Sequence, residues 1–232
     1  MSENLKGSLS GVVLLSDLSE SELEKLEQQC SWRHYSSQEQ IIDRQSETTD
    51  IFFIAEGRVR IVNYSLSGRE ITFDELNQGE HFGELAAIDG QPRSASVMAM
   101  NNCQVASLSQ DRFRAIVEEH PKMALRLMED LAGMVRSSTE RIMDLSTLAA
   151  NNRVQAEVLR QAREFSEDDI CAIIKPIPVH GDIASRVSTT RETVARVMND
   201  LARQGIVERR KDALVIENIE QLSEMVEEVR GE

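Results

Sequence analysis

A chain of 232 residues, 41% of them hydrophobic, is long enough to form two modest domains, each with its own core. Its formal net charge of −14 excludes attraction to nucleic acid or anionic membrane through overall charge, so any DNA contact must be local. There is no apolar run of membrane-spanning length, and Met1-Ser2-Glu3-Asn4-Leu5-Lys6 lacks the basic and apolar regions of a signal peptide. A soluble cytoplasmic protein with no membrane partner is therefore expected. Cys30, Cys103 and Cys171 are odd in number and far apart, which suits neither a disulfide framework nor a Cys-x-x-Cys site. They are expected to be buried apolar fillers.

In chain order, Leu14 to Cys30 has helical spacing, with Ser19 and Glu22 as a capping box ahead of Leu23 and Leu26. From about Ile41 to Leu108, β-formers such as Ile51-Phe52-Phe53-Ile54, Val59-Arg60-Ile61-Val62 and Ile71-Thr72-Phe73 alternate with Gly57, Gly68 and Gly79. Short strands between turn signals predict an antiparallel sandwich or barrel, with Ser65-Leu66-Ser67-Gly68 as a hairpin tip. Asp111 to Val117 reads as a short helix, and a long one starts near Pro121, a residue tolerated in a first helical turn. In it Met128, Leu131, Val135, Ser138, Ile142, Leu145 and Ala149 step alternately by three and four, the seam of a parallel dimer. Asn151-Asn152 breaks the period, so a hinge is expected at Ala149 to Asn152, followed by a helix through Arg163. Asp168 to Pro178 reads as one or two strands.

The C-terminal part contains a helix of Gly181 to Val187, a turn of Ser188-Thr189-Thr190, and a second helix from Arg191. On this second helix Val194, Val197, Met198 and Leu201 share one face, while Arg191, Glu192 and Arg196 occupy the other. That is helix-turn-helix spacing. Gly205 to Ile216 reads as a β-hairpin wing with a basic tip, Arg209-Arg210-Lys211. Between Arg186 and Lys211 seven cations against three anions leave a local charge of +4, which favours DNA over an ordinary solvated face. Ile219, Leu222, Val226 and Val229 trace a terminal amphipathic helix expected to pack on its own domain. The fold class expected is α+β: an N-terminal antiparallel jelly roll over 1–120, a dimerisation helix and hinge over 121–150, and a winged helix-turn-helix over 151–232.

The most informative stretch is His81-Phe82-Gly83-Glu84-Leu85-Ala86-Ala87-Ile88-Asp89-Gly90-Gln91-Pro92-Arg93-Ser94-Ala95-Ser96. Gly83 lets a phosphate approach backbone N–H groups at a helix start, and Arg93 supplies the countercharge. Glu84 would repel a phosphate but suits a sugar hydroxyl, so one nucleotide ligand explains both residues. These residues resemble the phosphate-binding cassette of cyclic-nucleotide-binding domains. The resemblance implies that the backbone of Gly83, Glu84, Leu85 and Ala86 and the Arg93 side chain hold a cyclic phosphate. It further implies that Glu84 takes the ribose hydroxyl and that Ser94 touches the phosphate or a guanine. In the resembled family a polar pair at the place of Ser138 and Thr139 reaches the purine, partly from the opposite subunit, which implies that role for these two residues.

Arg191-Glu192-Thr193-Val194-Ala195-Arg196 is similar to the reading motif of the CRP/FNR family of bacterial transcription regulators, in its cyclic-nucleotide branch. The resemblance implies a non-enzymatic homodimer with cAMP or cGMP as allosteric effector, double-stranded DNA as partner, and RNA polymerase as a further partner. Arg191, Glu192 and Arg196 would read a half-site similar to TGTGA, with Thr189, Thr190 and His180 as further DNA-binding residues. One departure is Val179-His180-Gly181-Asp182, where relatives carry Thr or Ser and an Arg or Gln that clasp phosphate. Two alternatives stay open: the same fold with haem, another effector or none, and a metal-dependent jelly-roll enzyme. Against haem and metal stand the isolated positions of His34, His81, His120 and His180.

Overall fold

The computed structural model describes residues 7–166 and 170–231. The chain divides into two compact units that meet in sequence between Met134 and Val135.

The first unit is a sandwich of two four-stranded antiparallel sheets. Its strands are β1 (Ser31–Tyr35), β2 (Gln40–Ile42), β3 (Ile51–Glu56), β4 (Arg58–Tyr64), β5 (Glu70–Asn77), β6 (His81–Phe82), β7 (Ser96–Ala99) and β8 (Cys103–Leu108). One sheet runs β1-β8-β3-β6, the other β2-β7-β4-β5. Strand β3 explains its own unbroken apolar run. With a side-chain period of two, Phe52 and Ile54 face the sandwich interior with Val59, Phe82 and Val105. Ile51 and Phe53 face the opposite side, where Leu26, Phe113, Met123 and Leu127 cover the sheet. A strand buried on both faces cannot alternate in polarity.

The covering helices are α1 (Glu20–Gln29), α3 (Gln110–Glu119) and the start of α4 (Pro121–Thr147). The Ser19/Glu22 capping box is present: the Ser19 N–H donates to the Glu22 carboxylate at 2.8 Å. The expected helix from Leu14 is shorter, because Val13–Leu15 forms a separate 3-10 turn whose Leu14 and Leu15 are buried. Strand β1 was not expected. It lies at a sheet edge and is mostly exposed, so its sequence Ser-Trp-Arg-His-Tyr carries little apolar alternation. The short helix α2 (Glu84–Asp89) begins at Gly83 and ends at Gly90, both in the left-handed region with φ of 81° and 73°.

The second unit contains α5 (Ala150–Phe165), β9 (Ala172–Ile174), α6 (His180–Arg186), α7 (Arg191–Arg203), β10 (Val207–Arg209), β11 (Leu214–Ile216) and α8 (Ile219–Arg230). The strands form a small antiparallel sheet, β10-β11-β9. One core joins Val154 and Leu159 of α5, Ile183 of α6, Val194, Val197 and Leu201 of α7, and Ile219, Leu222 and Val226 of α8. The terminal helix thus packs on its own unit, through three of its four expected positions; Val229 stays exposed. The strand expected over 168–178 is limited to Ala172–Ile174, and its start at Asp168 lies outside the described residues.

Two sequence expectations are corrected here. The break after α4 is where the period ends, but Ala149, not an asparagine, is the N-cap of α5, and Asn151 and Asn152 lie within its first turn. Ala149 therefore falls past the end of α4 rather than on its seam. The link is held from within, since the Arg153 guanidinium donates to the Leu148 carbonyl at 2.9 Å. Of the cysteines, Cys103 is buried and Cys30 half-buried, but Cys171 is exposed and fills no core.

Candidate functional site

Two sites emerge, one in each unit. In the first, Gly83 sits where β6 turns into α2, and its conformation and surroundings both demand glycine. A Cβ there would stand 2.7 Å from Arg93 Nη1 and 3.1 Å from the Asp50 carbonyl. Arg93 is only 5% exposed. Its guanidinium donates to the Gly83 carbonyl at 3.1 Å, to the Asp50 carbonyl at 2.8 Å, and through Nε and Nη2 to the Thr48 hydroxyl at 3.2 Å. It also lies 5.4 Å from the centroid of Phe52, whose ring stacks on Phe82 at 5.0 Å. Every hydrogen bond of this cation goes to a neutral oxygen.

Glu84, the first residue of α2, is 8% exposed. Burial raises its carboxyl above the usual carboxylate range, against the lowering by its own backbone N–H and by Arg93. Burial likewise lowers Arg93, against the charges of Asp50 and Glu84. Directly paired, the two groups would shift the other way. The structure thus brings together two desolvated, opposite charges that do not bond each other. Leu85 is exposed, Ala86 buried, and Ser94 exposed, with its carbonyl accepting from Asn63 Nδ2 at 3.3 Å. Thr48 and Asp50 were missed in the sequence, because nothing local marks two loop residues as the seat of an arginine 45 and 43 positions later.

Along α4, Met128, Val135, Ile142 and Leu145 are 46–65% exposed, so an apolar stripe faces outward. Leu131 is partly buried against the core of the first unit. Ser138 and Thr139 lie on the part of α4 belonging to the second unit. Ser138 is exposed, and the Thr139 hydroxyl donates to the Val135 carbonyl at 2.9 Å.

In the second unit α6, the turn and α7 form the expected helix-turn-helix. Ser188 in the turn has φ of 51°, left-handed for a non-glycine residue. Arg153 holds it there, donating to the Val187 carbonyl at 2.9 Å and the Ser188 carbonyl at 3.2 Å. Thr190 caps α7 by accepting from the Thr193 N–H at 3.3 Å. Arg191, Glu192 and Arg196 are all exposed, while Thr189 and His180 are half-buried. The carboxyl of Glu192 is lowered by its own backbone N–H and by the Thr190 hydroxyl. It thus stays an anionic acceptor on the exposed face of α7.

The basic patch is smaller than the sequence count implies. Arg186 turns inward to Glu157, a carboxylate 1% exposed, at 3.7 Å. Arg203 pairs with Asp200, and Arg210 with Glu208 at 2.7 Å and Glu217 at 2.8 Å. Glu157 also binds Arg160, which donates to Asp144 at 3.1 Å. Asp144 accepts from Arg230 at 2.7 Å as well. This buried network ties the end of α4 to α5, α6 and α8, and sequence reading missed it because its members are up to 86 residues apart.

Residues 32–120 match the model for a cyclic nucleotide-binding domain, and residues 153–225 that for a Crp-like helix-turn-helix domain. The chain is 30% identical over 201 residues to the cAMP-activated global transcriptional regulator Vfr of Pseudomonas aeruginosa, covering 84% of this chain and 92% of that one. It is 26% identical over 188 residues to the cAMP-activated global transcriptional regulator CRP of Salmonella typhimurium, covering 81% and 90%. In fold it is similar to a CooA mutant from Carboxydothermus hydrogenoformans, with a TM-score of 0.79 at 20% identity over 93% of this chain and 95% of the other.

Proposed function

The chain belongs to the CRP/FNR family of transcription regulators, with a cyclic-nucleotide-binding domain and a DNA-binding helix-turn-helix, and we propose that it is a homodimer switched by a 3′,5′-cyclic nucleotide. The observation that carries the effector is the buried, unjoined pair of Glu84 and Arg93. A cyclic nucleotide bridges such a pair. Its phosphate takes over guanidinium donors now given to the carbonyls and Thr48, and its ribose hydroxyl donates to the Glu84 carboxylate. Backbone N–H groups from Gly83 to Ala86 complete the phosphate cradle, with Ser94 at its rim. The names of the two curated relatives favour cAMP over cGMP.

The exposed stripe of Met128, Val135, Ile142 and Leu145, with Leu131 and Ser138 in register, supports a parallel dimer along α4. Two recognition helices then meet successive major grooves of a palindrome about 34–36 Å apart. Arg191 and Arg196 read guanines, Glu192 reads a cytosine, and Thr189, Thr190 and His180 stand at the phosphates. The ligand acts by favouring the DNA-competent state, and about 5.5 kcal/mol of differential binding converts a 1:99 population to 99:1. RNA polymerase is the partner through which a bound dimer changes transcription.

DNA selection from a randomised pool, with and without cAMP, tests this reading. A palindromic site enriched only with cAMP is expected, and Arg191→Ala should cost about 1–3 kcal/mol at one base pair. Enrichment that ignores nucleotide removes the switch, and an equal loss on all sequences removes Arg191 as a base reader.

A further inference from the structure

The guanidinium of Arg191 lies on the backbone of the preceding helix, in the space where residue 181 has no side chain. A Cβ at Gly181 would stand 2.8 Å from Arg191 Nε, 3.1 Å from Nη2 and 3.2 Å from Cζ. Gly181 is the second residue of α6, an ordinary helical position with no left-handed backbone to require glycine. Glycine there weakens the helix relative to alanine, so its use needs another cause. The close approach of Arg191 is that cause. Arg196 is steadied by a different element, its Nη2 donating to Asn151 Oδ1 of α5 at 3.4 Å.

We propose that Gly181 is a specificity-determining residue that acts through Arg191: the missing side chain lets α6 set the direction in which that arginine reaches a base. The inference rests on the recognition-helix reading above. An exposed arginine samples many rotamers, and one laid against a fixed backbone surrenders less freedom when it docks. Any side chain at 181 occupies that resting place and sends the guanidinium elsewhere. The colliding atoms belong to the far end of a flexible side chain, so the helices themselves need not move.

The test is Gly181→Ala in the full chain, with base preference read at every position of the selected site. Thermal stability should be unchanged or higher, since alanine is the better helix former. Discrimination should fall about five-fold at the base pair that Arg191→Ala identifies, and hold at the pair assigned by Arg196→Ala. In the Arg191→Ala background, Gly181→Ala should have no further effect. A preference identical to wild type, or a uniform loss on all sequences, overturns the role of Gly181 while leaving the recognition helix intact. A wild-type chain with no sequence preference removes both.

Discussion

The two units bury charge in opposite ways. In the first, Arg93 and Glu84 are both buried, yet the arginine donates its hydrogen bonds to carbonyls and a hydroxyl, and burial leaves each charge less favoured than in water. In the second, Asp144 and Glu157 are each gripped by arginines, which closes the network on itself. Desolvating an ion is costly unless a partner compensates. Where compensation is internal, the charges fix geometry; where it is incomplete, they define what a ligand must supply. The first arrangement suits the proposed binding site, the second a joint.

The largest effect that breaks this contrast comes from the joint. Asp144→Ala strands Arg230 and leaves Arg160 with Glu157 alone, and should destabilise the second unit by about 3–5 kcal/mol. Faster hydrogen exchange along α5 and α8 should report it, with cyclic-nucleotide affinity kept. Next is Arg93→Gln, which removes the phosphate's countercharge and should weaken nucleotide binding by about 2–4 kcal/mol in calorimetry.

Glu84→Gln should show the smallest and most diagnostic change. Loss of a charged acceptor weakens nucleotide binding by about 1.5–3 kcal/mol. The unliganded protein should nevertheless melt higher at pH 7. A carboxyl raised on folding favours the folded state only where it is protonated. That contribution is full below the unfolded pKa and is lost as pH rises through the folded one. The gain in Glu84→Gln must therefore vanish on acidification below the usual carboxylate range. A melting difference that does not change with pH would mean that Glu84 is not desolvated.

What sequence revealed and what it hid follows the same division. The Ser19 cap, the glycines of the cassette and the buried face of α7 are encoded within a few residues, so spacing alone exposes them. The seat of Arg93 in Thr48 and Asp50, and the bond from Arg230 to Asp144, join positions that only the fold makes adjacent. The sequence likewise shows Arg186 as one more cation near DNA, whereas the fold turns it toward Glu157. At Asn151, a good capping residue lies in the first turn of the helix instead and meets Arg196. Local chemistry is legible from spacing; compensation of charge is not.

The most direct measurement is calorimetric titration of the nucleotide-stripped full chain with cAMP and, separately, cGMP, alongside Arg93→Gln. Saturable binding by the wild type that is abolished or strongly weakened in Arg93→Gln is the predicted result, with the tighter ligand naming the effector. No binding of either nucleotide, or undiminished binding by Arg93→Gln, would contradict the assignment of this buried pair as a cyclic-nucleotide site.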